Sequence, residues 1–273
     1  MIALCADEAT AGPTIEIGYD DDGGGAAPPI VFVHGLPHNR SLWAPQVHAL
    51  AGHARCIAPD LRGFGQTPAT PPFSIDRYAD DVAALLRSLG VERAVIAGIS
   101  MGGHVALAFW RRHRERTRAL LLAGTRPGTD DDAGRARRRE IIALAREEGS
   151  AAVADRMIVG MVGKSTRERS PALVESVRGM LASATVEGVV GAQEAMLARP
   201  DPTPTLARID VPTLVVTGDE DVIVPPAAAR AMHAAIRGSR LEVIAGAGHL
   251  SNFERPAAFN HVAGEFLSAL AHD

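Results

Sequence analysis

Six short apolar runs constrain this chain more than any other feature. They are "IVFV" (30–33), "RCIAPD" (55–60), "AVIAGI" (94–99), "RALLLAG" (118–124), "VPTLVVTG" (211–218) and "RLEVIAG" (240–246). A strand with one wet face alternates polar and apolar residues. A run without that alternation fits a strand covered on both faces. Helical patterns fall between the runs. One lies near 40–52, with Leu42, Val47 and Leu50 inward. Another starts at a Ser74 cap and reaches Leu89, with Tyr78, Val82, Leu85 and Leu86 on one face and Gly90 placed to stop it. Others follow residue 100 and occupy about 226–236 and 256–271. Strands alternating with helices predict an α/β protein with a mostly parallel central sheet and helices on both faces. "TIEIGY" (14–19) alternates as a further strand, and "DDDGGGAAPP" (20–29) reads as a turn or loop.

Residues 127–205 break this rhythm. They contain no convincing strand and read as four helices, at about 131–148, 150–162, 171–184 and 186–198. Ser150 can cap the second, and Ser170-Pro171 supplies a cap followed by proline at the first helical position. The expected organisation is a core of 1–126 and 206–273 with a helical insertion at 127–205. The charge runs "DDD" (130–132) and "RARRR" (135–139) read as a solvated helix face with acids near its N-terminus.

The bulk properties set limits. A 273-residue chain with 47% hydrophobic residues can build one α/β core with an insertion. A net charge of −4 and no basic stretch interleaved with aromatics argue against nucleic acid. No apolar run approaches a membrane span. The N-terminus lacks the basic and apolar regions of a signal peptide. Cys5 and Cys56 make neither a disulfide framework nor a metal site, and a cytoplasmic location is expected.

"GISMGG" (98–103) carries the chemistry. Gly98, Ser100 and Gly102 form G-x-S-x-G between a predicted buried strand and a predicted helix. That setting pushes the serine hydroxyl out at the carboxyl end of the sheet. A serine needs a base within hydrogen-bond reach. Among ten histidines, His249 in "AGAGHLSNFERP" stands just beyond the last strand and is favoured. His104 is expected to pack beneath Ser100, His34 to be structural, and His38 to be able to enter the pocket. The imidazole needs an orienting acid. Asp219, Glu220 and Asp221 compete in "GDEDVIVPP" (218–226), and Asp221, deeper in the turn, is favoured, with Asp219 bracing the turn. The order Ser, Asp, His suits this architecture. An oxyanion hole needs two converging backbone N–H groups; Met101 and Leu36 of "HGLP" are the candidates.

From about residue 28 onwards, the chain resembles the α/β-hydrolase fold superfamily. "FVHGLP", "APDLRGFGQT", "GISMGG", "VPTLVVTGDEDVIVPP" and "GAGHLSNFERP" occur in the family's order. The resemblance implies Ser100, Asp221 and His249 as catalytic triad and Leu36 and Met101 as oxyanion donors. It implies a cap formed by the insertion, and Asp60, Arg62 and Gly63 as braces of a structural turn. Ile99 departs from the histidine or other polar residue that many members carry. Epoxide hydrolases and haloalkane dehalogenases of this superfamily use an aspartate where this chain has Ser100. The resemblance therefore implies a serine carboxylesterase for small to medium acyl or aryl esters, needing no metal or cofactor. "EGVVGAQEAMLARPDPTP" also resembles short-chain esterases and 3-oxoadipate enol-lactonase. The expected pocket is mostly apolar and includes His38, Ile99, Met157, Met161, Met180, Met196 and Leu250. Enol-lactonase, C–C bond hydrolase, cofactor-free oxygenase or perhydrolase, and a small-ligand receptor on a hydrolase scaffold remain alternatives on the same residues.

Overall fold

The computed structural model describes residues 1–7 and 12–271, of which 7 and 12–14 are described by backbone alone. Its strands are β1 (Ile2–Asp7), β2 (Gly12–Asp22), β3 (Ile30–Val33), β4 (Cys56–Pro59), β5 (Ala94–Ile99), β6 (Thr117–Ala123), β7 (Thr213–Gly218) and β8 (Arg240–Ile244). They form one eight-stranded sheet in the order β1-β2-β4-β3-β5-β6-β7-β8. β2 runs antiparallel to both of its neighbours, and every pair from β4 to β8 is parallel. This is the mostly parallel α/β sheet that the apolar runs implied, in the α/β-hydrolase fold that the resemblance implied.

The helices are α1 (Ala44–Leu50), α2 (Ile75–Ser88), α3 (Met101–Arg112), α4 (Asp132–Met161), α5 (Lys164–Arg169), α6 (Pro171–Ala182), α7 (Val186–Ala198), α8 (Thr203–Leu206), α9 (Pro226–Ala235), α10 (Ser251–Glu254) and α11 (Pro256–Leu270). None is long and apolar enough to cross a membrane. Successive strand residues point to opposite faces, which explains the uninterrupted runs. Val31, Val33, Ile96, Leu120 and Leu122 pack with Tyr78 and Leu85 of α2 and Val105 and Phe109 of α3. Ile30, Phe32, Val95, Ala97 and Leu121 pack on the other side with α1 and with Phe259 and Leu267 of α11. Trp43 joins these parts, its ring 4.9 Å from Phe32 and 5.8 Å from Phe259.

The sequence expectations need correction at several places. β1 was not anticipated: of "IALCA", Cys5 is buried while Leu4 is 68% exposed, so the apolar letters do not mark one buried face. β2 continues through Asp22, into the stretch read as loop, because its last four residues pair with β4. Five helices, not four, separate β6 from β7. The expected break in α4 falls at Gly149 (φ 83°, ψ −179°), just before Ser150, and short α5 and α8 are added. Ser170 occupies the cap position of α6, with Pro171 first, but its side chain makes no capping bond. Ser74 does cap α2, accepting from the Arg77 N–H at 3.0 Å.

The turn after β4 is braced by ionic contacts. Asp60 accepts from the backbone N–H groups of Arg40 (2.8 Å) and Gln66 (2.9 Å), and also from the Arg40 guanidinium. Arg62 forks onto Asp81 at 2.8 and 2.9 Å. Gly63 has φ +87°, and a Cβ there would lie 2.7 Å from the Gly188 α-carbon in α7. Gly63→Ala should therefore lower unfolding free energy by about 1–3 kcal/mol, seen as a lower urea midpoint at constant m-value. An unchanged midpoint would show that this contact relaxes freely.

Candidate active site

The site is built where β3, β5, β7 and β8 end. β5 pairs with β6 as far as Ile99 and Ala123, and the Ser100 N–H donates to the Ala123 carbonyl at 2.9 Å. Ser100 then adopts φ 55°, ψ −117°, and among the described residues it alone has positive φ without being glycine. Such a conformation costs of order 1–3 kcal/mol and persists only where packing enforces it. The flanking glycines show that enforcement. A Cβ on Gly98 would lie 2.1 Å from the Gly102 carbonyl oxygen, and one on Gly102 would lie 2.2 Å from that of Val33. α3 begins at the next residue, so the Met101 N–H has no intrahelical acceptor and sits at the positive end of the helix.

The three competing acids have separate partners. The Asp219 carboxylate accepts from Gly246 N–H at 2.7 Å and braces the turn. Glu220 accepts from the N–H and hydroxyl of Ser165. Asp221 Oδ2 lies 2.8 Å from His249 Nδ1, while its Oδ1 accepts from the N–H groups of Ile223 and Val224. Both side chains of this pair are buried. Paired with a carboxylate, Nδ1 is the donor, which leaves Nε2 as the acceptor; that atom is buried and has no protein partner.

The loop after β3 lies against the elbow, since a Cβ on Gly35 would be 3.1 Å from both the Ile99 carbonyl oxygen and Ser100 Cβ. His34 Nδ1 meets the Gly35 carbonyl at 2.9 Å, and its Nε2 accepts from Leu61 N–H at 2.9 Å, a structural role as expected. Ser100, His249, Leu36 and Met101 all border one cavity of about 670 Å³.

Met157, Met161 and Met196 line that cavity, but His38, Ile99, Met180 and Leu250 do not. Ile99 and Leu250 are fully buried in the apolar cluster that joins the sheet, α1 and α11 to Met161, Val177 and Leu181, and Met180 packs against the same cluster. His38 is buried beside Gly35, with neither ring nitrogen hydrogen-bonded. His104, expected beneath the elbow, instead reaches the cavity wall.

The cavity also departs from the expected apolar lining. Met157, Met161, Val222 and Ile223 supply an apolar part, but Arg126, Asp130, Arg137, Arg138, Arg156 and Gln193 line it too. The "DDD" and "RARRR" runs are thus only partly a solvated face. Asp131 does cap α4, accepting from Gly134 N–H at 2.8 Å. Asp130, however, turns inward to Arg126, Arg138 and Arg199. Burial opposes ionisation of Asp130, but the hydrogen bonds and charges of Arg138 and Arg199 prevail and hold its carboxyl well below the usual range. Of the four arginines in "RARRR", Arg138 is the one that pairs with Asp130, and one such member of a charge run leaves no periodic trace, so spacing could not reveal it.

Glu254 is a further residue that sequence reasoning missed. It is buried on α10. Its Oε1 accepts from Gly248 (2.9 Å) and Leu250 (3.2 Å), on either side of His249; its Oε2 accepts from Gly163 N–H (2.7 Å) and the Thr166 hydroxyl (2.6 Å). The available signal was an acid five residues after His249 in "GHLSNFERP".

Comparison with known proteins agrees with this architecture. The model of the alpha/beta hydrolase family matches residues 30–262. The chain is 32% identical over 249 residues to 3-oxoadipate enol-lactonase 2 of Acinetobacter baylyi, covering 90% of this chain and 91% of that one. A malate-bound thermophilic esterase from Thermogutta terrifontis superposes with a TM-score of 0.95 at 37% identity over 99% of both chains. The enol-lactonase from Burkholderia xenovorans LB400 does so with 0.88 at 33% identity, over 97% of this chain and all of that one. The chain belongs to the alpha/beta hydrolase family.

Two histidines near the cavity give a pH test. Burial, followed by the charges of neighbouring groups, lowers His38 and His104 from 6.5 to about 3. The unfolded chain therefore takes up these protons first, and stability should fall as pH drops below about 6.5 towards 3. Urea unfolding from pH 7 to 5 should show that decline, with a shallower slope in His104→Phe. Equal slopes would mean that His104 binds its proton equally well in the folded and the unfolded chain.

Proposed function

We propose that the protein is a serine hydrolase that cleaves carboxylic esters with small to medium acyl or aryl groups through an acyl-enzyme. One observation carries this reading. The strained Ser100 borders the same cavity as His249, whose Nδ1 is engaged by Asp221 and whose Nε2 is left without a protein partner. In this mechanism Ser100 Oγ attacks the ester carbonyl carbon and gives its proton to His249 Nε2. Asp221 orients the ring and stabilises its charged form. The N–H groups of Leu36 and Met101 receive the developing oxyanion. His249 then protonates the departing alkoxide, and water repeats the sequence to release the acid. Residues 127–205 serve as a cap that contributes α4 and α7 side chains to the cavity. A cytoplasmic location belongs to this reading, supported by two buried free thiols, Cys5 and Cys56. Enol-lactone hydrolysis is a second reading, favoured by the similarity to two enol-lactonases; a lactone is an internal ester and needs the same groups.

Hydrolysis of p-nitrophenyl acetate, butyrate, octanoate and laurate tests the proposal. Sustained turnover of the shorter esters is expected, together with loss of both turnover and fluorophosphonate labelling in Ser100→Ala. Labelling that persists in the variant would remove Ser100 from the nucleophile's role, and single turnover alone would favour a receptor. Asp221→Asn should lower kcat by about 10⁴, far more than Asp219→Asn. The reverse ranking would reassign the acid.

A further inference from the structure

The cavity that holds Ser100 carries more positive charge than its acids balance. Four arginines, Arg126, Arg137, Arg138 and Arg156, line it with only two aspartates, Asp130 and Asp131. Asp131 is occupied as the cap of α4. Asp130 therefore stands alone at the centre of a cationic cluster, accepting from Arg126 at 2.5 Å, Arg138 at 2.7 Å and Arg199 at 2.6 Å. Three guanidiniums share one carboxylate. The shielding from water is substantial: the side chain of Asp130 is 5% exposed and that of Arg199 is 2% exposed. An incompletely paired charge in such a place is unfavourable, and a further anion offsets that cost.

The donors of this cluster are unequally used. Arg138 spends Nε and, more weakly, Nη2 on Asp130 at 2.7 and 3.4 Å, and Nη1 on the Gln193 side-chain oxygen at 2.8 Å. Arg199 bonds Asp130 and the carbonyls of Met196 and Gly128. Arg126 makes only its Nη2 bond to Asp130 among the described residues, which leaves the rest of its planar fork for a ligand. It is a third exposed and borders the cavity. It also follows Gly124 by two positions, and a Cβ on Gly124 would lie 3.3 Å from His249 Nδ1. An anion held by Arg126 is thus in the same cavity as the proposed nucleophile and base. His104 does not add to the positive charge, because burial and then Arg199, Arg138 and Arg126 keep it neutral. The apolar lining of Met157, Met161, Val222 and Ile223 suits the carbon chain of such a ligand.

The geometry points to an anion subsite in which Arg126, backed by Arg138 and Arg199, binds a carboxylate carried by the substrate itself. A guanidinium fork matches a carboxylate in plane and in donor spacing. The substrates are then esters whose acyl or alcohol part bears a carboxylate, in preference to neutral esters of equal length. This deepens the ester-hydrolase reading and rests on it for the chemistry, while the binding site is measurable without turnover.

The test compares monoethyl glutarate with ethyl valerate, an anionic and a neutral ester of equal acyl length, by pH-stat. The wild-type protein should favour the anionic ester by about tenfold or more in kcat/KM. Arg126→Gln should reduce that ratio by about tenfold, chiefly through KM for the anionic ester, and Arg126→Lys should fall between the two. Separately, glutarate should bind Ser100→Ala saturably in calorimetry and about tenfold more weakly in Ser100→Ala with Arg126→Gln. A wild-type ratio near one, with Arg126→Gln affecting both esters equally, would overturn the subsite and leave the esterase reading standing. Glutarate binding that depends on Arg126, without turnover of either ester, would keep the subsite and overturn the esterase reading.

Discussion

The close approach of the Gly102 backbone to the end of β3 sets the geometry on which the site depends. No side chain fits there, since a Cβ on Gly102 would come within 2.2 Å of the Val33 carbonyl oxygen. α3 can therefore start directly above the end of β3. The first N–H of the helix and the loop after "IVFV" are brought to the same cavity for that reason. Gly98 makes the complementary contact from the strand side. With the chain fixed before and after it, Ser100 has no relaxed conformation available and remains at φ 55°. The parallel register extends the arrangement outward: β7 and β8 end beside β5 and β6, and the loops that follow them carry Asp221 and His249.

Around this centre, equal charges receive different tasks from their surroundings. Asp219, Glu220 and Asp221 are consecutive, yet one braces a turn, one holds Ser165, and one meets an imidazole. The distinction lies in the path of the backbone after β7, which exposes the first and buries the third. Asp130 and Asp131 divide in the same manner, with one turned into an arginine cluster and its neighbour capping a helix in water.

Much of this was legible in the sequence because strong local rules produced it. The buried strands announce themselves by unbroken apolar runs, α2 by its Ser74 cap and Gly90 stop, and the elbow by glycines at both close approaches. The choice of Asp221 over Asp219 followed from depth in the turn, and the observed pairing has that form. What was not legible depends on tertiary placement. β1 carries no alternating pattern. Asp130 and Arg138 turn inward from charge runs whose neighbours Asp131, Asp132, Arg137 and Arg139 are exposed. Ile99 and Leu250 flank the site in sequence, but their side chains point into the core. Adjacency along the chain gave no direction for a side chain, and that is what decided the pocket.

Glu254 gives the helices between β6 and β7 a mechanical meaning. Its two oxygens hold the loop around His249 and the start of α5 together, and Glu220 makes a second attachment at Ser165. These helices are fastened to the very loops that carry Asp221 and His249. Rebuilding the pocket by exchanging α4 to α7 between relatives is therefore not a matter of the covalent segment alone. Residues 163–166 and the carboxylates at 220 and 254 form one joint, and a transplant that moves half of it separates the new pocket from the imidazole it is meant to serve.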